Sequence, residues 1–194
     1  MKMIINPALS LFENKENIKT AFQEAVADTR HGLRFFSVAS FDAVENAAQS
    51  RMVVLRDFLP DWTFRFYTDY RSSKVAQIQN HPSISLLFWN ADGRYQIRIQ
   101  AMSTIHYKND ISGSEWLHVT GDAQNAYSTV LPPGTVISQP EEARGRNIKG
   151  NFFCVIDARA ISLKVLQLNS TDHLAAKYER SSFGDSWNGQ WIIP

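Results

Sequence analysis

The sequence has one cysteine, almost no net charge and no long apolar run. Cys154 is alone among 194 residues, which excludes an internal disulfide and leads us to expect a reducing, cytoplasmic setting. It lies in the run Phe152-Phe153-Cys154-Val155-Ile156, with no adjacent cation to lower its pKa. That is the pattern of a small buried strand residue rather than a nucleophile. With 20 basic and 19 acidic side chains, the chain has no broad field of one sign. Neither nucleic acid nor an anionic membrane is expected as a partner. No run approaches the ~18 apolar residues of a membrane span, and MKMIINPALS lacks the core of a signal peptide. His31, His81, His106, His118 and His173 show no pair at metal-ligand spacing, so no metal is expected. There is no nucleophile elbow, no Walker loop, no dinucleotide glycine motif and no internal repeat.

Hydrophobic residues at 44% and charged residues at 20% describe an ordered globular chain, read as one domain over residues 1–194. Residues 14–30 read as a helix with Ile18, Phe22, Ala25 and Val26 on one stripe and Gly32 as its stop. The period then shortens to that of strands at Leu33–Phe41, Arg51–Phe58 and Trp62–Asp69, with a turn at Pro60-Asp61. Ser72–Asn80 reads as a second helix with Ser72 as N-cap, Val75 and Ile78 facing inward, and Pro82 beyond its end. Ser83–Trp89 is nearly all apolar, as in a strand covered on both faces. Arg94–Ala101 alternates cleanly, after a turn at Asn90-Ala91-Asp92-Gly93. Residues 110–145 carry no strand signal and are read as helices near 112–119 and 121–129 followed by the loop Leu131-Pro132-Pro133-Gly134. Strands resume at Asn151–Ile156 and Ala160–Leu168. A closing hairpin pairs Lys177–Ser181 with Gln190–Ile193 around Asn188-Gly189. The expected fold is mainly β: an antiparallel β-barrel with a core over residues 33–108, peripheral helices, and C-terminal strands over residues 151–194.

The stretch FYTDYRSSK, residues 66–74, carries the main functional signal. Ser72, Ser73 and Lys74 open a helix directly after a strand. One reading is a capped surface helix with a solvated lysine. The other is an anion site, since a helix start offers free N–H groups and partial positive charge, to which hydroxyls and an ammonium add. The surroundings favour a flat, phosphate-bearing cofactor. Arg51 and Arg56 bracket the apolar segment Met52-Val53-Val54-Leu55, which suits a ring, and Gln96 supplies an amide for ring heteroatoms. Taken singly, Arg51, Arg65, Arg94 and Arg98 also read as solvent-facing barrel residues. His173 in NSTDHLAAKY reads as a surface histidine or as an acid–base group.

The ordered set RMVVLR, FYT, SSK, HPSISLLFW and QIRI resembles the pyridoxamine 5′-phosphate oxidase-like, FMN-binding split-barrel family. The likeness is strong over residues 51–101 and weaker toward residue 33 and the C-terminal hairpin. It implies a split barrel and a homodimer with FMN at the subunit interface. By position, Arg51–Arg56 would run beside the flavin and its ribityl chain, Tyr67 and Thr68 would touch the cofactor, Ser73 and Lys74 would hold its phosphate, and Gln96 would reach the flavin. Tyr95 and Trp89 would serve a partner subunit. The chain departs from the vitamin B6 oxidases at Arg56, where they have lysine, and at Ser73, where they have arginine. Leu131-Pro132 and Thr135 stand where those oxidases have Arg-Pro and serine, and of their C-terminal motif at most His173 remains. The cofactor half of the pattern is therefore present and the B6-substrate half is not. The expected function is an FMN-dependent oxidoreductase of unknown small-molecule substrate, with His173 and Arg56 as candidate catalytic groups. The alternatives are a flavin carrier or redox or stress sensor, and a barrel that uses its groove for haem or a deazaflavin.

Overall fold

The computed structural model describes residues 3–145 and 151–194. The elements run α1 (Leu11–Ala27), β1 (Phe35–Asp42), β2 (Ala47–Val54), β3 (Asp57–Leu59), β4 (Thr63–Asp69), α2 (Ser73–Asn80), β5 (Ser83–Asn90) and β6 (Tyr95–Tyr107). After these come α3 (Asp110–Trp116), 3₁₀ segments at Gly121–Tyr127 and Pro140–Arg144, β7 (Phe153–Gln167), β8 (Leu174–Glu179) and β9 (Asn188–Ile192). All strand pairings are antiparallel, in the order β2-β1-β5-β6-β7-β4-β3, with β8 on β7 and β9 on β8.

The long strand β7 organises this sheet. Along one edge it pairs with β6 throughout. Along the other it pairs with β4 over Phe153–Arg159 and with β8 over Ser162–Gln167. The register slips between Gln100 and Ala101 of β6, where β7 changes partner. Such a bulge bends the ribbon and lets one strand serve two sheets that diverge. The barrel closes between β2 and β3. Leu55 N–H donates to Arg34 O, and Arg56 N–H, one residue on, donates to Arg65 O, both at 2.8 Å. The chain thus steps from the edge of β1 to the edge of β4. This is why the strand expected over Arg51–Phe58 is broken in two.

Aromatic rings fill the interior. Phe22 of α1 meets Phe64 at 4.8 Å and Phe88 at 4.9 Å edge-on, and Phe36 stacks on Phe88 at 4.4 Å. Each such pair adds roughly 0.5–1.5 kcal/mol beyond the area it buries. α1 begins at Leu11 rather than residue 14, because Ser10 and Glu13 form a reciprocal capping box.

Other expectations are corrected. β5 is covered on one face only: Leu87 and Trp89 are exposed, while Ile84, Leu86 and Phe88 are buried. The two strands expected over 151–156 and 160–168 are one continuous strand, β7. The second helix expected near 121–129 is a 3₁₀ segment. Asn188-Gly189 is not a turn but the start of β9, paired with Glu179 and Tyr178. Gly189 is needed for close approach, since a Cβ there would lie 2.9 Å from the Tyr178 ring. Tyr95 is buried in its own chain's core, so it is not offered to a partner. Among the described residues no helix is long and apolar enough to cross a membrane. Replacing Phe22 with Ala is expected to cost about 3–5 kcal/mol in urea denaturation, because the cavity opens where four rings meet. A loss under about 1 kcal/mol would show that α1 is not a wall of the core.

Candidate functional site

The site gathers at the barrel end that α2 covers. Inward-facing residues of β1 and β2 alternate with outward ones, and Arg51 pairs with Val38 on the inner side. Its guanidinium turns to the start of α2: Nη1 donates to Ser40 Oγ at 2.5 Å and Nη2 to Gln77 Oε1 at 3.1 Å. Lys74 enters from α2, and its Nζ donates to Thr68 Oγ1 at 2.9 Å and to Ser72 Oγ at 3.3 Å. Arg51 and Lys74 therefore face one another. Burial holds the Lys74 ammonium below its ordinary pKa, and Arg51 lowers it further. Burial likewise lowers Arg51, partly offset by Asp42. Among the described residues every hydrogen-bond partner of these two side chains is a neutral oxygen.

Ser72 occupies the N-cap position with extended backbone, yet its side chain makes no cap hydrogen bond. The hydroxyl lies 3.2 Å from Thr68 Oγ1, toward Lys74. The expectation that Ser72 caps the helix is thus corrected. In the first turn of α2, Val75 N–H donates to Ser72 O at 2.9 Å, and among the described residues no capping side chain meets the N–H groups of Ser73 and Lys74. Ser73 is exposed at that turn. Two cations, a helix start and small hydroxyls fit a phosphate ester, which needs several charge-assisted donors at once.

A second cluster sits at the far end of Met52-Val53-Val54. Arg56 lies over the Tyr67 ring at 5.2 Å, beside Tyr127, whose hydroxyl pKa is raised by burial, an effect that Arg56 partly offsets. Tyr67 donates its hydroxyl to Glu115 at 2.5 Å. Burial first and Glu115 second push its ionisation far above the ordinary range. Glu115 also accepts from Arg65 at 2.6 Å, and Arg65 grips Asp157 through two bonds of 2.8 Å. The Tyr67 hydroxyl thus belongs to an ion network beneath α3. Arg71 donates twice to Asp69, at 3.0 and 2.7 Å, and also to Thr129 and Val130, pinning the loop after Tyr127 beside the phosphate-type turn.

The remaining site candidates separate. Met52 and Val54 face outward, Met52 being 63% exposed, whereas Leu55 is fully buried in the core and Val53 packs against it. Gln96 is half-buried on β6, three strands from β2, and is not brought to Arg51. His173 is exposed just before β8, its Nδ1 accepting from Asn169 N–H at 3.3 Å. β8 starts opposite Gln167, at the far end of β7 from Cys154. Cys154 is buried, as expected, and its thiol is pushed up to about 12 by burial. Ser40, Gln77 and Glu115 escaped the sequence reading. The buried polar position of Gln77 between Val75 and Ile78 was the available signal.

The barrel and its split at β7 are those of the split-barrel fold. Residues 15–107 match the family model described as pyridoxamine 5′-phosphate oxidase, FMN-binding domain. A pyridoxine/pyridoxamine 5′-phosphate oxidase of Thermosynechococcus vestitus is 33% identical over 75 residues, 34% of this chain and 35% of that protein. A second such oxidase, from Hydrogenovibrio crunogenus, is 25% identical over 152 residues, 77% of this chain and 58% of that protein. The chain thus spans between about a third and somewhat over half of these curated relatives. Among solved structures, a pyridoxamine 5′-phosphate oxidase-related, FMN-binding protein of Nostoc punctiforme superposes with a TM-score of 0.77 at 21% identity, covering 96% of this chain and 100% of that one. PhzG of Burkholderia lata, solved with tetrahydrophenazine-1-carboxylic acid, gives 0.70 at 14% identity, covering 95% of this chain and 92% of that one. Both likenesses concern the fold.

Because the Tyr67 hydroxyl is committed to Glu115, Tyr67→Phe is expected to leave FMN affinity within about twofold. It should cost stability by roughly 1–3 kcal/mol, the range for a hydrogen bond to a charged group. A tenfold loss of FMN affinity at unchanged stability would show that this hydroxyl reaches the cofactor.

Proposed function

We propose that this chain is an FMN-dependent oxidoreductase acting on a small anionic molecule. The observation that carries the reading is the approach of Arg51 and Lys74, whose hydrogen-bond partners among the described residues are all neutral oxygens. Bound there by its phosphate, FMN supplies hydride chemistry that no side chain of this protein has. Ser73 and the first turn of α2 add donors for the phosphate. Met52 and Val54 present an apolar surface to the flat ring. Arg56, beside Tyr127, supplies the positive charge that orients the substrate's anionic group.

A homodimer belongs to this proposal. The outer face of β2, β1 and β5 carries Met52, Phe35 at 56% exposure and Trp89 at 46%, an apolar surface rimmed on β6 by Gln96 and Arg98. Gln96 lies three strands from β2 and on the outer face, whereas Arg51 faces inward. A second copy seated on this face brings its own Gln96, and covers the ring's open side. One free, buried thiol suits a cytoplasmic setting.

Flavin carriage or sensing without turnover is the competing reading. It is favoured by the lack of an evident proton donor among the described residues: Tyr67 is locked on Glu115, Cys154 is buried, and His173 is remote. Repeated reduction of bound flavin by a nicotinamide nucleotide and reoxidation by a second substrate supports the enzyme. Flavin that is bound but never cycles contradicts it, and a Soret band in place of flavin absorbance contradicts FMN.

Arg51→Ala and Lys74→Ala are each expected to raise the FMN dissociation constant about ten- to hundredfold while sparing riboflavin, which lacks the phosphate. Unchanged FMN affinity in Lys74→Ala would make α2 an ordinary surface helix. Oxidation of pyridoxine 5′-phosphate is expected to be about a thousandfold slower than by a genuine B6 oxidase, since Leu131 offers no charge-assisted donor and such losses sum to ~4 kcal/mol. Comparable rates in a side-by-side assay would show that other residues hold that phosphate.

A further inference from the structure

We infer that Gln77 is a positioning residue for the cofactor phosphate: its buried carboxamide orients the Arg51 guanidinium without neutralising it. The inference rests on the phosphate reading of Arg51 and Lys74. Gln77 lies three residues after Lys74 on α2, on the neighbouring part of the helix surface, and is 5% exposed. Its Oε1 accepts from Arg51 Nη2 at 3.1 Å and from Ser40 Oγ at 2.6 Å. Its Nε2 donates to Asp42 Oδ2 at 2.8 Å. Ser40, 3% exposed on β1, accepts in turn from Arg51 Nη1 at 2.5 Å.

The amide orientation follows from this geometry. Turned over, it would set an N–H against the Arg51 donors and an oxygen against the Asp42 carboxylate. Asp42 therefore fixes which end of the amide faces Arg51. The carboxylate is itself held by the N–H groups of Val44 and Glu45 at 3.0 and 3.2 Å, at the tip of the β1–β2 hairpin. Those bonds, that of Glu45 first, and the bond from Gln77 keep it below the ordinary carboxylate range.

The amide matters because of what it replaces. A carboxylate in direct contact with Arg51 would satisfy the guanidinium and compete with any incoming anion. With the amide between them, Arg51 is fixed by one hydroxyl and one carboxamide, both neutral. A guanidinium has five N–H donors, so about three stay free for a ligand while the full positive charge is kept. An amide can accept twice on its oxygen while its nitrogen donates to a carboxylate on the other side, and glutamine has the reach from the helix.

The test compares Gln77→Met with Gln77→Glu. Methionine keeps the volume and removes the hydrogen bonds, so FMN affinity should fall about tenfold with riboflavin unchanged. Glutamate keeps an oxygen for Arg51 but adds a charge. If Gln77 only braces the fold, glutamate should be the milder change. If it keeps Arg51 available, glutamate should be the worse one, with FMN affinity down about a hundredfold and riboflavin again unchanged. Wild-type FMN affinity in Gln77→Glu, or equal losses of FMN and riboflavin in either variant, would overturn the inference. Ser40→Ala keeps it testable where a Gln77 variant fails to fold: an FMN-specific loss of about fivefold is expected, and no loss overturns it. Arg51→Ala separates the two levels. If that variant keeps FMN affinity, the phosphate reading itself fails. If it loses FMN while Gln77→Glu does not, only the role of Gln77 fails.

Discussion

Two positive side chains, Arg51 and Lys74, are held close together and half-buried, and much of the barrel's end is arranged around them. Like charges out of water repel, and burial adds a desolvation cost to each. The depressed pKa of Lys74, with burial and Arg51 as its causes, is the record of that cost. The side chains are kept in place by neutral oxygens from three different elements: Ser40 on β1, Thr68 on β4, and Ser72 and Gln77 at α2. Such an arrangement disfavours the isolated fold and favours a bound dianion. Backbone strain is not needed to explain it. The geometry follows from where β4 ends and α2 begins.

The sheet provides the rest. The step of the chain at Leu55-Arg56 from β1 to β4 puts the outward residues of β2 on one open face and sends Arg56 over the Tyr67 ring. The bulge opposite Gln100 lets β7 leave β4 and take up β8. One end of the molecule thus holds the cation pair, and the other carries Gln96, Lys164 and His173. A single chain keeps these groups apart, whereas the proposed dimer, formed through the apolar outer face, would bring unlike ends together. That geometric separation, more than the apolar area, is the argument for a dimer.

The strands whose two faces differ in polarity were the most legible in the sequence. β4 matches its expected span to within one residue, whereas β6 starts as expected but runs on to Tyr107, six residues beyond the alternating stretch that ends at Ala101. β5 misled because a run of apolar residues signals burial without saying by what: its outer residues Leu87 and Trp89 are open in the single chain. β7 was split at Asp157 and Arg159 because charge in mid-strand reads as a turn, yet Asp157 is there to grip Arg65. Asn188-Gly189 carries a strong local hairpin signal that the packing of Tyr178 overrides. At the site, Arg51 and Lys74 were visible because charges beside an apolar strand and a helix start are conspicuous. Ser40 and Gln77 were not, since a neutral polar residue on an amphipathic segment looks the same whether it faces water or a buried arginine. Tyr67 was placed correctly in the chain, but its commitment to Glu115 depends on a contact across 48 residues that no local pattern records.

The central claim is that the cation pair exists to hold a phosphate. The measurement closest to it is the affinity of the flavin-free wild-type protein for FMN and for riboflavin, followed by quenching of flavin fluorescence at low and at moderate salt. Two charge-assisted contacts correspond to roughly a hundredfold or greater preference for FMN. Because the pair is half-buried, most of that preference should persist when salt is raised. Equal affinity for the two flavins would contradict the account, whatever else the barrel binds.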